Sequence, residues 1–146
     1  MTHFSESPII VVVGRLIAPF IQLFGLYVIF HGHYGPGGGF QGGAMLAASF
    51  LLIRLCVGEE ASQMHFKRSL GAPVGILGAA VFFGIGLVTM GAGGYFLDYS
   101  LLPFEDVSAS KLRFFGILVV EIGIGIAVAA TLVAIFDELM GGADNG

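Results

Sequence analysis

Glu121 is the only charged residue in a long apolar run, "FFGILVVEIGIGIAVAATLVAIF", Phe114 to Phe136. A carboxyl group in such a setting is costly unless it is paired or carries its proton, so it marks an ion or proton site by default. A second feature is "FHGHYGPGGGFQGGAML", Phe30 to Leu46, where glycines, Pro36, His31 and His33 crowd between two apolar stretches. Imidazole titrates near neutral pH and can relay protons or ligate metals. Two histidines without a nearby Cys or carboxylate cluster fall short of a metal site, so no metal is expected. The pair reads either as interfacial rings at the headgroup boundary or as proton-handling groups at the mouth of an ion path.

The glycines do not read as a phosphate cradle. A P-loop closes on Gly-Lys-Ser/Thr and a dinucleotide fingerprint follows a β-strand, whereas Gly39 here precedes Phe40 and the flanks are apolar helices. Pro36 presets a turn dihedral and the glycines accept positive φ, as a reversal between antiparallel helices requires. A single turn needs fewer glycines than these. The surplus points to close backbone contact, or to unwound backbone packed against protein within a membrane.

The elements that must hold these residues are membrane spans. The 146 residues are 56% hydrophobic and 11% charged, with mean hydropathy +0.94. A soluble domain of this size cannot bury so much apolar surface. Four runs reach the roughly 20 apolar residues needed to cross a bilayer as helix. They cover approximately 9–30, 39–57, 72–97 and 112–136, so the expected fold is an all-α, four-span membrane domain filling the chain. The continuous runs lack the alternation of spanning strands. The first run is also longer than the apolar core of a cleavable signal, and no basic segment precedes it. A net charge of −4 leaves no footprint for nucleic acid, and the lone Cys56 excludes an intrachain disulfide. No constellation for catalysis and no cofactor motif is present.

Basic residues set the expected orientation. Arg15, Arg54, Lys67 and Arg68 fall at one membrane face, Lys111 and Arg113 at the other. The excess places both termini in the cytoplasm and the glycine stretch outside. On this layout Glu121 lies within about a turn of its helix midpoint, and Arg15 sits on the order of 13 Å away in depth. Arg54 shares the depth of Arg15, and both can snorkel to the cytoplasmic surface. Gln22 and Thr89 fall near the depth of Glu121 and can share a polar layer with it. Glu121 then either carries its proton or pairs with a cation on another subunit. Small residues at four-residue spacing, such as Gly39, Gly43 and Ala47, favour close helix association. Four short helices with so much small surface hardly enclose a path alone, and no inverted repeat of the transporter kind is found.

The pattern His31-Gly32-x-x-x-Pro36-Gly37-Gly38-Gly39-Phe40-Gln41-Gly42-Gly43, after one span in a four-span chain, resembles the B subunit of the Mrp (Mnh) multisubunit sodium/proton antiporters. The resemblance runs from Pro8 to about Leu139, carried beyond the motif by the layout of the spans. It implies a small integral subunit of a large assembly in the prokaryotic cytoplasmic membrane, similar to the membrane arm of respiratory complex I. Such an assembly exchanges Na+ for H+, with the large subunits carrying proton channels and the small ones helping to form the sodium route. Related modules occur in membrane-bound hydrogenases and sulfur-reducing complexes, and a purely structural scaffold is a further alternative. The resemblance also implies functional importance for Pro36 and Phe40.

Overall fold

The computed structural model describes residues 7–32, 34–35, 37–58, 66–104 and 107–143. Four helices account for most of them: α1 (Pro8–His31), α2 (Gly39–Val57), α3 (Gly71–Gly91) and α4 (Ala109–Ala143). All four are long and apolar enough to cross a membrane, and no strand occurs among the described residues. α1 starts where a helix should, with Ser7 in an extended conformation and Pro8 in the first turn, where its missing N–H costs nothing.

Glycine ladders bring the helices together. Along the antiparallel α1–α2 pair, Gly14 abuts Cys56 and Gly25 abuts Gly42 and Leu46. Along α2–α4, which run parallel, Gly39 meets Glu121 and Ile124, and Gly43 meets Gly125 and Val128. Along antiparallel α3–α4, Gly71 packs on Ala134, Gly75 on Thr131 and Gly78 on Gly123 and Ala127. With no side chain at these steps the backbones approach closely, and dispersion replaces the hydrophobic drive that lipid does not supply. The helices therefore form a row in the order α1, α2, α4, α3 rather than a closed bundle. The inner pair is the more buried: 39% of the α2 window and 33% of the α4 window lie inside, against 17% for α1 and 22% for α3. α1 also touches α4 near the hairpin tip, where Ile29 meets Gly125.

The third helix ends at Gly91, six residues short of the expected Leu97. Gly93, at φ 88°, sends its N–H to the Met90 carbonyl while Gly94 N–H reaches back to Thr89, a Schellman closure that stops the helix. The apolar tail then folds down onto α3 instead of extending it. Phe96 lies against Gly86, and the Leu97 amide (φ 65° at this residue) donates to Thr89 Oγ1 at 3.0 Å. Hydropathy alone cannot register this turn, because the residues that reverse the chain are as apolar as those of the helix.

Candidate functional site

The tip of the α1–α2 hairpin is built on Glu121. A Cβ at Gly32, just past the end of α1, would stand 2.6 and 2.7 Å from the two carboxylate oxygens, and would also meet Gly38. A Cβ at Gly38 would stand 3.0 Å from Oε1, and one at Gly39 would strike the Glu121 backbone carbonyl. Three glycines of the motif thus wrap the head and backbone of one side chain, and Oε2 is withdrawn from the surface. Gly37 and Gly38 hold φ of 145° and 118°, conformations that side-chain-bearing residues rarely adopt. This strained bend drops the first turn of α2 directly beside the carboxylate. The initial N–H groups of a helix lack intrahelical partners and carry its positive dipole end, which suits a negative group. No acidic residue from α2 itself occupies that first turn.

Tyr99 approaches from the far side of α4. It opens a short 3-10 turn, Tyr99–Leu101, capped by Asp98, whose Oδ1 accepts from Ser100 N at 3.3 Å and from Ser100 Oγ at 2.5 Å. The ring lies over Gly116, where a Cβ would fall 2.5 Å from the nearest ring carbon. Burial first, and then the negative charge of Glu121, raise the Tyr99 phenol above its ordinary value of 10.0. A raised value means the folded state holds the phenolic proton more tightly. The associated stabilisation is complete below the ordinary value and is lost as pH rises through the folded one. Ultraviolet titration of a variant with Tyr27, Tyr34 and Tyr95 changed to Phe is expected to show a midpoint above that of free tyrosine. Adding Glu121→Gln should lower it part of the way only, since burial is the larger cause; an unmoved midpoint would place Glu121 out of electrostatic reach.

His31 stands at the exposed edge of the tip, stacked on Tyr27 (centroids 5.1 Å apart, planes at 17°) and tilted against Tyr34 at 5.8 Å. Phe40 is 67% exposed and Gln41 also faces outward, while Gly42 and Gly43 are consumed by the contacts with α1 and α4. His33 and Pro36 lie outside the described residues. Among those described, no group of three or more His, Cys, Asp and Glu side chains is placed to hold a metal.

Three expectations about the polar residues are corrected. Glu121 stays within about a turn of the middle of its span, Ala109–Met140, but Gln22 and Thr89 do not share its layer. The α1–α2 hairpin tip is level with Glu121, twelve residues into α4 (Ala109–Ala143), so depths counted from the ends of the apolar runs do not line up. Gln22 lies ten residues before Gly32 on α1, about 15 Å deeper at about 1.5 Å per residue. Thr89 is fully buried but serves the loop, donating to the Gly86 carbonyl at 2.9 Å and accepting from Leu97. Arg54, expected to snorkel, instead turns inward. Its Nη2 lies 2.8 Å from Asp137 Oδ2 and donates to the Phe66 carbonyl at 3.0 Å, with both charged side chains at most 4% exposed. Asp137 went unrecognised because it stands one residue past the fourth apolar run. The available signal was that α2 and α4 end at the same face, one carrying an arginine inside its span and the other an aspartate at its edge.

Residues 9–134 match the family model described as "Domain related to MnhB subunit of Na+/H+ antiporter". A protein of Staphylococcus haemolyticus named "Putative antiporter subunit mnhB2" is 32% identical over 143 residues, covering 94% of this chain and 98% of the relative. An uncharacterized protein of Methanocaldococcus jannaschii is 29% identical over 138 residues, 88% of this chain but 52% of that one. A chain from the structure of the membrane-bound sulfane sulfur reductase, an archaeal respiratory membrane complex, superposes with a TM-score of 0.69 at 33% identity. That superposition covers 92% of this chain and 58% of the solved one. The chain thus spans somewhat more than half the length of these last two relatives.

Proposed function

Because the chain belongs to the MnhB-related family, we propose that it works as a non-autonomous membrane subunit of a multisubunit Na+/H+ antiporter, with Glu121 as the group that meets the transported ion. The observation that carries this reading is the seat of the carboxylate. Gly32, Gly38 and Gly39 leave room beside Glu121 for nothing larger than a hydrogen atom on their own side chains. Side chains on these three residues would cover the carboxylate; the glycines leave it to a proton or a cation. A carboxylate that binds either H+ or Na+ gives exchange by competition, since occupancy by one disfavours the other. The first turn of α2 supplies a fixed dipole that holds the negative form in place between the two.

The row of helices supports the non-autonomous part of the reading. A path past Glu121 needs walls that other antiporter subunits supply, with lipid against the remaining faces. The excess of Arg15, Arg54, Lys67 and Arg68 over Lys111 and Arg113 favours cytoplasmic termini in a prokaryotic cytoplasmic membrane, and so an external hairpin tip. The chain is a transport subunit rather than an enzyme. His31, on the exposed edge of the tip, is placed to exchange protons with the aqueous side.

Sodium-driven pH change in vesicles carrying the assembled complex tests the assignment. Glu121→Gln should abolish exchange while native gels show an intact complex. Full exchange by that variant would remove Glu121 from the path; loss of the complex would instead favour a scaffold role. The similarity to a chain of a respiratory complex favours a second reading, the same subunit in a redox-driven oxidoreductase. Genes for iron–sulfur or hydrogenase subunits beside this one would select it.

A further inference from the structure

A trench runs between α3 and α4 at the end of the molecule opposite the hairpin tip. It holds a cavity of about 590 Å³, floored by Ala72, Gly75, Ala79 and Ala134 and walled by Ile76 and Ile135. Its mouth carries Arg68, whose Nη2 lies 3.4 Å from Glu138 Oε1, with exposed Lys67 beside it. The mouth shares its level with the Arg54–Asp137 pair, because Asp137 and Glu138 are consecutive. We propose that this trench is a binding site for one anionic phospholipid, with an acyl chain on the alanine and glycine floor and the phosphate at Lys67 and Arg68.

Length decides between a lipid and a partner helix. From Arg68 to Ala79 the chain climbs about 16 Å at about 1.5 Å per residue, close to the roughly 15 Å of one leaflet of hydrocarbon. The lining on α3 ends at Ala79, and one turn beyond it, on the same face, stands Phe83 at 56% exposure. A spanning helix would need a groove through the full bilayer. An acyl chain needs half, with a cation at the headgroup end, and basic pockets between helices at such a level are where acidic headgroups bind. The Arg68–Glu138 contact does not block this. Glu138 is 78% exposed, and an ion pair so open contributes little and yields readily to a phosphate.

The sequence lacks tryptophan, so an introduced one reports alone. The full chain carrying Ile76→Trp (Ile76 is 70% exposed, on the trench wall) would be placed in phosphatidylcholine nanodiscs. Each preparation would contain the same fraction of either brominated phosphatidylglycerol or brominated phosphatidylcholine. Quenching by the phosphatidylglycerol is expected to exceed that by phosphatidylcholine by at least about fivefold in local enrichment, the contribution of each cation at an acidic headgroup. Lys67→Gln with Arg68→Gln should remove the preference, and Leu77→Trp, also exposed but not part of the trench lining, should show none. Equal quenching by both lipids, or a preference that survives loss of both cations, would overturn the proposal. So would absence of quenching by either lipid, the mark of a trench filled by protein.

Discussion

Asp137→Ala is expected to lower the unfolding free energy of the chain by about 3–5 kcal/mol, the cost of breaking a buried ion pair by removing one partner. The partner left behind is Arg54, 6% exposed, which joins α2 to α4 and, through the Phe66 carbonyl, to the segment that leads into α3. Removing the aspartate therefore takes a carboxylate at 2.8 Å from a buried guanidinium at the junction of three elements. Exposed Glu138 gives the internal control: Glu138→Ala should change stability by less than about 1 kcal/mol. A double variant, Arg54→Leu with Asp137→Leu, should recover most of the loss, because apolar replacements of a buried pair are often neutral or better. Denaturant unfolding of the full chain in detergent measures all three. Equal stability of Asp137→Ala and the parent would mean that Arg54 finds another partner and the pair is dispensable.

The second large effect falls at the other end. Gly39→Ala places a methyl group against the Glu121 carbonyl and 3.0 Å from Ile124 Cβ, both on the same helix. Neither can withdraw without separating α2 from α4, so a cost of about 1–3 kcal/mol is expected, as for other overpacked cores. The functional consequence should exceed the loss of stability. Displacing the first turn of α2 moves the dipole end away from the carboxylate. Exchange activity is therefore expected to fall in complexes that still assemble. Gly84→Ala serves as the comparison, since a Cβ there meets nothing within 4 Å. In a helix interior that change should be neutral or stabilise by up to about 1 kcal/mol. Similar behaviour by the two variants would show that the α2–α4 approach is not governed by the missing side chain.

These expectations rest on contacts that sequence reasoning reached only in part. Glu121 and the glycine motif were each recognisable as unusual, one for a charge in apolar surroundings and the other for its density of glycine. They read as separate features because nothing in a one-dimensional pattern gives the parallel register of α2 against α4. Gly39 and Glu121 are 82 positions apart, and their meeting depends on matched small residues at Gly43 and Gly125 one turn further along. Counting from the ends of the apolar runs puts Thr89 and Gln22 at the depth of Glu121. That count fails because the helices do not end at a common level: the α1–α2 tip meets α4 at Glu121, twelve residues inside it. Arg54 illustrates the same limit from the side of electrostatics. A long basic side chain near a span end can bend toward water or toward a buried acid, and only the position of Asp137 decides which.

Composition and pattern alone determined the membrane class, four helices, the two places where polarity is out of character, and the family motif. They do so because a bilayer sets a length that hydrophobic runs must meet, and because polar groups inside it are too costly to occur without a reason. The tertiary structure alone decided that the helices stand in a row, that α3 stops at Gly91, and that Arg54 faces Asp137. It also decided that the glycines of the hairpin close around Glu121. Those outcomes depend on which backbones can come within contact of which, a property of paired surfaces that no single helix carries in its own sequence.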